Sequence, residues 1–453
     1  MSPIASATPM PREGAGTMAV RGFGAWLRAG SACGAIMIAT ASANAGGFAV
    51  HEQSTYAQGT SFAGIAAGGA LSSMFWNPAT MTQFGGVQGE FSVSGIIPFA
   101  SNSPSAGSTF LALGGTSNTA DEALVPSGYF SYQINPNLWV GMSVNSPFGL
   151  SVGFPDLWAG RDYAAGDTFL HTYNATPSIA YRINDWISVG AGVQIQYANA
   201  ALSRGVSVPF PRIGLIPAGD AVLSGNGWAY GFTAGVTLTP TPTTTIGLGY
   251  RSQMNQKIDG TLAFTLLPIS TSSASTTINL PDVVSLGIRQ RVNQQLTLLG
   301  TVEWTNWSRI GTAVVSGAPI PTSLPFEFKD GWLFSLGAEY QWTDRLTVRG
   351  GLGYEISPIT DQVRIPIVPD NDRFWVSVGA SYEIYRGLVA DLAYSHVFVR
   401  DPSINISPTS GNPWFDGATY IGNVDAHVDI LSLAIRFRLG EPAAPAKTAL
   451  ITK

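Results

Sequence analysis

The chain has 453 residues, 11% charged and 45% hydrophobic, with 23 Lys and Arg against 28 Asp and Glu. So few charges exclude strongly charged disorder, which needs low hydrophobicity with high net charge, and a mildly acidic balance without a basic run excludes a phosphate-backbone binder. No apolar run approaches the roughly 20 residues of a spanning helix, so a helical membrane bundle is excluded too.

Residues 1–45 read as a secretory signal peptide. Arg12, Arg21 and Arg28 supply its positive region, Ala32–Ala39 a short apolar region, and Ala43-Asn44-Ala45 a small-residue cleavage signal. The positive region is long, which leaves Met10 and Met18 as alternative starts. Cys33 is the single cysteine, and the apolar stretch follows it instead of preceding it, against a lipoprotein reading. Removal of the leader would leave no thiol, hence no disulfide and no thiolate metal site.

Residues 46–85 lack alternation. They are rich in Gly and Ala, with scattered aromatics at Phe48, Phe62, Phe75, Trp76 and Phe84. From residue 86 the pattern turns to period two, the strand period. Trp332, Phe334, Leu336, Ala338, Tyr340 and Trp342 make one face, with aromatics at both ends as at two membrane interfaces. Ile187, Val189, Ala191, Val193, Ile195 and Tyr197 make another, opposite Gly190, Gly192, Gln194 and Gln196.

Fourteen strands are expected from 87–98 to 424–438, the third at 138–148, the fifth and sixth at 186–202 and 227–239, the seventh at 243–255 and the eighth at 278–292. Short connections (Asn135-Pro136-Asn137, Asn184-Asp185, Pro240-Thr241-Pro242, Asn293-Gln294, Thr343-Asp344, Arg386-Gly387) alternate with long ones. That predicts an all-β fold: a 14-stranded antiparallel transmembrane β-barrel over 86–439, in a bacterial outer membrane. Residues 440–453 read as a Pro/Ala-rich periplasmic tail. The block at 46–85 suits a periplasmic domain or a plug in the lumen. Its small, uncharged residues favour the plug, since a barrel this wide cannot be filled by its own side chains.

Asn145-Ser146-Pro147-Phe148-Gly149 ends the third strand. Pro lacks the ladder N–H and Gly weakens a strand, so the segment is either a kink or an ordinary strand end. Arg289, Arg291, Glu303, Glu339, Arg349, Glu355, Glu383 and Asp391 face inward and read as a paired network holding the plug. Arg161 and Arg204 are candidate partners for a ligand carboxylate. His51, His171, His396 and His427 are the only histidines, and no nucleophile motif, phosphate loop or metal spacing accompanies them. Neither catalytic residues, a metal nor a cofactor is expected.

Gly47-Phe48, Glu52-Gln53-Ser54, Gln58-Gly59 and Ala63-Gly64, followed by Phe75-Trp76-Asn77-Pro78-Ala79-Thr80-Met81, resemble the hatch of the FadL family of outer-membrane long-chain fatty-acid and hydrophobic-compound transporters. Asn77-Pro78-Ala79, about thirty residues after the cleavage signal and just before the first strand, carries the resemblance, and Pro147–Leu150, Trp158–Arg161 and Pro177–Trp186 extend it. Family members often end on an aromatic residue, whereas here Phe437 is followed by a tail. The resemblance implies a hatch-plugged barrel that takes up fatty acids or aromatic hydrocarbons passively and releases them sideways at a kink in strand three. Phe48, Phe62, Phe75, Trp76 and Phe84 are then candidate ligand contacts. Outer-membrane lipid, lipopolysaccharide and the barrel assembly machinery are the expected macromolecular surroundings of a monomer. A general diffusion porin for polar solutes, with an open lumen, and an adhesive surface protein are the alternatives.

Overall fold

The computed structural model describes residues 46–212, 214–265, 271–319 and 322–439. The expected leader and the tail from 440 lie outside these residues. The alternating segments form β1 (Val87–Pro104), β2 (Ala123–Asn135), β3 (Leu138–Asn145), β4 (Gly149–Phe154), β5 (Gly166–Arg182), β6 (Ile187–Phe210), β7 (Gly214–Thr241), β8 (Thr244–Arg251), β9 (Met254–Phe264), β10 (Ser272–Leu280), β11 (Val283–Arg291), β12 (Leu296–Thr305), β13 (Thr312–Val315), β14 (Thr322–Pro325), β15 (Gly331–Gln341), β16 (Leu346–Ile356), β17 (Arg373–Tyr385), β18 (Leu388–Val399), β19 (Ser403–Ile406) and β20 (Tyr420–Leu439). They make a closed barrel of fourteen antiparallel passes. Three passes are broken in two, β3 with β4, β8 with β9 and β10 with β11. β19 lies alongside β20, and β13–β14 is a separate hairpin.

The barrel closes because an unpaired backbone edge costs several kcal/mol per group in lipid. β1 runs against β20 from Val87 opposite Leu439 to Pro104 opposite Gly422. The two faces of each strand divide as the alternation demands. On β15 and just after it, Trp332, Phe334, Leu336, Tyr340 and Trp342 are exposed outward, while Leu333, Ser335 and Glu339 are buried inward. The six short connections fall on one rim. Asn184 and Asn293 each shape a turn by accepting hydrogen bonds from the N–H groups two and three residues on, the local bonding that favours Asn in turns.

Two strands outrun the sequence reading. β6 and β7 continue to Phe210 and Gly214, beyond the expected 202 and 227, and pair with each other to that tip. Gly, Ser and Pro made this stretch look like a loop. In the fold the two arms form one ladder, with a register shift between Gly205 and Ser207, and the pairing satisfies their backbone groups.

Residues 46–86 lie inside the barrel. A single helical turn, α1 (Thr55–Gln58), is capped by Ser54, whose side chain accepts from the Ala57 N–H, and three short 3-10 segments follow. The plug touches the wall where the wall has no side chain. A Cβ at Gly249 would stand 1.9 Å from the Trp76 carbonyl oxygen, and one at Gly351 would stand 2.1 Å from that of Thr60. The lumen-facing glycines of the alternation are therefore seats for the plug backbone.

Charged side chains complete the attachment. Arg289 pairs with Glu339 at 2.7 Å and Arg436 with Asp391 at 2.6 Å. The Tyr56 hydroxyl donates to Glu339, and the Arg349 guanidinium lies 4.1 Å from the Tyr56 ring centre. Buried charges persist only when paired, and these are. Arg291 and Glu383 differ from expectation: Arg291 donates to the Pro242 carbonyl at 2.7 Å, and Glu383 accepts from the Gly387 N–H, both at the short-turn rim. They sit too near the strand ends to reach the plug.

Gly249→Val is expected to lift the plug off this seat. Overpacking of this kind costs about 1–3 kcal/mol, and a dislodged plug leaves a water path. Planar-bilayer recording should show steady conductance in the variant against a quiet parent, with both barrels heat-modifiable on gels.

Candidate functional site

The third pass does not run through. β3 pairs with β2 as far as Val144 and with β5 as far as Asn145, then the chain turns inward, and β4 resumes its ladder against β5. Asn145 faces Asn174 and Gly149 faces His171, so strand three spends one residue more than its partner here. The surplus residue leaves β2, still paired with β1 on its other side, without a ladder partner on the strand-three side over Ala123–Ser127. Below, Gly128 pairs with Val144. Above, the Gly153 N–H donates to the Thr119 carbonyl at 2.9 Å and Ala120 bridges Val152. The ladder therefore has a bounded gap, a window in its pairing, and Pro126, lacking an N–H, sits on its edge as proline does on unpaired strands.

The plug holds the inward loop. The Val50 N–H donates to the Pro147 carbonyl at 2.9 Å, and the Gly149 N–H donates to the Phe48 carbonyl at 3.0 Å. Gln53 clamps the turn, donating to the Ser146 carbonyl at 2.7 Å while its own carbonyl accepts from the Asn145 amide at 3.2 Å. Of the five residues singled out in the sequence, Ser146, Pro147 and Phe148 lie between β3 and β4, and Asn145 and Gly149 are the paired residues on either side. Phe148 swings into the lumen and is buried against Phe48, with ring centres 6.4 Å apart.

Two cavities meet at that pair of rings. The larger, about 720 Å³, lies toward the long-loop rim and is almost wholly apolar. Phe48, Leu150, Leu170, Leu202, Ile258, Ile278, Phe326, Ile367 and Trp414 are among its walls. Part of its lining comes from residues 357–372, which fold back into the barrel and bury Ile359, Val363, Ile365, Ile367 and Val368. The smaller, about 580 Å³, lies against the plug and the window. Its walls include Val50, His51, Phe75, Trp76, Pro147, Phe148, Gln194, Arg251 and Glu303.

The smaller cavity carries the charge. Arg251 is buried, donates to the Phe75 carbonyl at 2.9 Å and to the Gln194 side chain, and lies 3.9 Å from the Phe75 ring centre. His51 Nε2 lies 3.1 Å from Glu303, and His51 Nδ1 is buried without a hydrogen-bond partner. Burial works against charge on His51. The Glu303 hydrogen bond and the charges of Glu355, Glu303 and Glu52 together outweigh it and hold the imidazole up at about 9.

Asn77-Pro78-Ala79 forms the start of the last 3-10 segment. Asn77 is its N-cap, accepting from the Ala79 N–H at 3.0 Å, and Pro78 takes the first position, where no N–H is needed. The Asn77 amide donates to the Ala66 carbonyl at 2.7 Å and to the Val236 carbonyl at 2.9 Å, tying plug to plug and plug to wall. Asn77→Ala should therefore cost about 1–3 kcal/mol locally, the scale of buried carbonyls left unpaired. Hydrogen exchange should quicken by roughly tenfold or more over residues 77–83 while the wall strands stay protected.

Of the five candidate aromatics, Phe48, Phe75 and Trp76 line a cavity. Phe62 instead packs between Trp375, Trp76 and His51, and Phe84 lies at the rim, where its carbonyl accepts from the Trp139 indole at 2.7 Å. Arg161 does not serve as a carboxylate anchor. Its five N–H groups are taken by the Asp156, Val206 and Gly219 carbonyls and by Asp162 and Asp220, so it fastens one loop to the β6–β7 hairpin. Arg204 is on the surface, 2.8 Å from Asp416. Ser395 and His396 point to opposite faces, Ser395 inward to Ser377 and His396 outward to Asp429.

Arg251 escaped the sequence reading because 243–255 alternates as one strand. The break after Arg251 has a visible trace only next door, where Pro281 stands in the expected eighth strand and β10 ends at Leu280.

The comparisons with known proteins bear on the fold and the family. The chain is 30% identical over 336 residues to a long-chain fatty acid transport protein of Salmonella typhi, covering 67% of this chain and 77% of that one. It is 28% identical over 437 residues to the protein so named in Escherichia coli O157:H7, covering 85% and 96%. Among solved structures, a Pseudomonas aeruginosa FadL homologue superposes with a TM-score of 0.78 at 24% identity, covering 87% of this chain and all of that one. The Ralstonia pickettii toluene transporter TbuX gives 0.62 at 19%, covering 88% and all of that chain. The model of outer membrane protein transport proteins (OMPP1/FadL/TodX) matches residues 36–439, and the chain belongs to that family, a β-barrel of the bacterial outer membrane.

Proposed function

We propose that this protein takes up apolar molecules passively across the outer face of the outer membrane, long-chain fatty acids foremost, and releases them sideways into the bilayer through the window in strand three. The carrying observation is that two apolar-lined cavities meet at the Phe48–Phe148 pair, beside the break in strand three. Each CH₂ moved from water to an apolar wall gains about 0.8 kcal/mol, so a route that stays apolar from loops to lipid suits a greasy cargo.

In this reading the alkyl chain lies in the larger cavity against Phe48, with Phe75 and Trp76 lining the inner one. The carboxylate meets Arg251 and the free Nδ1–H of His51. Asn77-Pro78-Ala79 fixes the plug, and Asn145–Gly149 is the gate. No energy source is needed, since the membrane is the sink. The relatives named as long-chain fatty acid transport proteins support this cargo.

A second cargo class, aromatic hydrocarbons, is favoured by the ring cluster of Phe48, Phe148, Trp307, Phe326 and Phe328. A diffusion porin for polar solutes is opposed by the lumen-filling plug. Growth of a deletion strain on oleate and on alkylbenzenes, with complementation, tests the reading. Restored growth on oleate supports it, restored growth on alkylbenzenes alone favours the second cargo, and no defect on either sinks both.

A further inference from the structure

We propose that three amide side chains on the lumen face of the wall, Asn145, Asn174 and Gln196, form a way-station for the polar head group of the cargo in an uncharged form, a protonated carboxyl or a hydroxyl. This deepens the transport reading and rests on it. Asn174 on β5 faces Asn145 on β3 to one side and Gln196 on β6 to the other. Directly opposed residues on one face of a sheet hold their Cβ atoms about 4.5–5.5 Å apart, so the three amides stand side by side. All three are buried, none more than 1% exposed.

Each amide uses one end and leaves the other without a hydrogen-bond partner among the described residues. The Asn145 nitrogen donates to Gln53 at 3.2 Å and to the Tyr129 hydroxyl at 2.7 Å, and its Oδ1 has no partner. Asn174 Oδ1 accepts from the Thr176 hydroxyl at 2.7 Å, and its Nδ2 has no partner. Gln196 Nε2 donates to Gln256 at 3.2 Å, and its Oε1 has no partner. Buried polar atoms are nearly always paired. Here three neighbouring strands supply one unpaired atom each, as a donor between two acceptors.

That order selects the ligand. A carboxylate only accepts, and the amide oxygens on either side of Asn174 would repel it. A protonated carboxyl accepts through its carbonyl and donates through its O–H, and a hydroxyl does both with one atom. The row also has a direction. Gln196 lines the smaller cavity, where Arg251 donates to Gln194 two residues before it, and Asn145 is the last residue of β3 before the break. A charged head group suits Arg251, whereas a neutral one enters an apolar medium at far lower cost. The carboxylate takes one proton from the surrounding water before it enters the row, and no bond to carbon changes.

The test is Asn174→Leu, which removes the donor and keeps the bulk, in the full chain produced in a deletion strain. Labelled oleate, oleyl alcohol and hexadecane are supplied separately, and uptake above the deletion background is read. Oleate and oleyl alcohol uptake should each fall roughly three- to tenfold, the factor carried by one neutral hydrogen bond, with hexadecane uptake at the parental rate and the barrel heat-modifiable. Parental rates for oleate and oleyl alcohol in the variant overturn the row as a head-group site. An equal fall for all three cargoes also overturns it and leaves Asn174 as wall packing. A loss confined to oleate overturns the uncharged form. A parent that carries neither oleate nor oleyl alcohol above background removes the transport reading itself. Should the Leu variant fail to fold, Asn174→Ala carries the same comparison.

Discussion

Deleting Pro147 is expected to close the window and stop uptake while leaving a folded barrel. Between Asn145, which faces Asn174, and Gly149, which faces His171, strand three advances four residues against three on β5. The one-residue surplus is what pushes Phe148 inward. Removing the residue that cannot donate to a ladder restores equal advance and places Ser146 and Phe148 opposite Tyr173 and Thr172. The deletion gives up the bonds from Val50 to Pro147 and from Gly149 to Phe48, each about 1 kcal/mol net. It gains ladder bonds with β5 and offers the bare edge of β2 a partner, so the balance for stability is near even. Uptake of labelled oleate should fall by roughly tenfold or more, since each 1.4 kcal/mol added to a single route is about tenfold in rate. Uptake at the parental rate, in a barrel still heat-modifiable, would remove the lateral route from consideration.

That one residue also shows where the sequence speaks and where it stops. Wall strands are legible because lipid on one side and lumen on the other force every second side chain into the same solvent. Trp332 to Trp342 could be assigned outward from the letters alone. Turns are legible because Asn184 and Asn293 bond their own backbones. The plug's seats are half legible: glycines recur on the lumen face, but only the fold shows that Gly249 receives Trp76 and Gly351 receives Thr60.

What resists reading is any partner chosen in three dimensions. Arg161 looked like an unpaired cation in a loop, and its five acceptors come from residues as far along the chain as Asp220. Residues 357–372 looked like an outer loop. They turn inward because Ile359, Val363, Ile365, Ile367 and Val368 have an apolar cavity to line and water to leave. Pro147 and Gly149 marked either a kink or a strand end, and the two bounds of the break depend on Gly128 meeting Val144 below and Thr119 meeting Gly153 above.

The cargo question turns on Arg251. Replacing it by Leu should separate a carboxylate from a plain hydrocarbon, because the smaller cavity has one guanidinium and Leu keeps most of its apolar bulk. A hydrogen bond to a charged partner contributes about 1.5–3 kcal/mol, so oleate should bind roughly 10- to 150-fold more weakly, read as a dissociation constant in detergent. Toluene, which has nothing to offer a guanidinium, should bind within about twofold of the parent. Arg251→Lys should recover part of the oleate affinity, since the charge returns without the planar fork that now bridges Phe75 and Gln194. His51→Leu separates the two donors: its imidazole already faces Glu303, so it has one N–H to give and the loss should be the smaller of the two. If oleate binding is untouched in both variants, the head group does not reside in this cavity. If oleate and toluene weaken together, Arg251 holds the plug and not the ligand, and hydrogen exchange at Phe75 and Trp76 will show it.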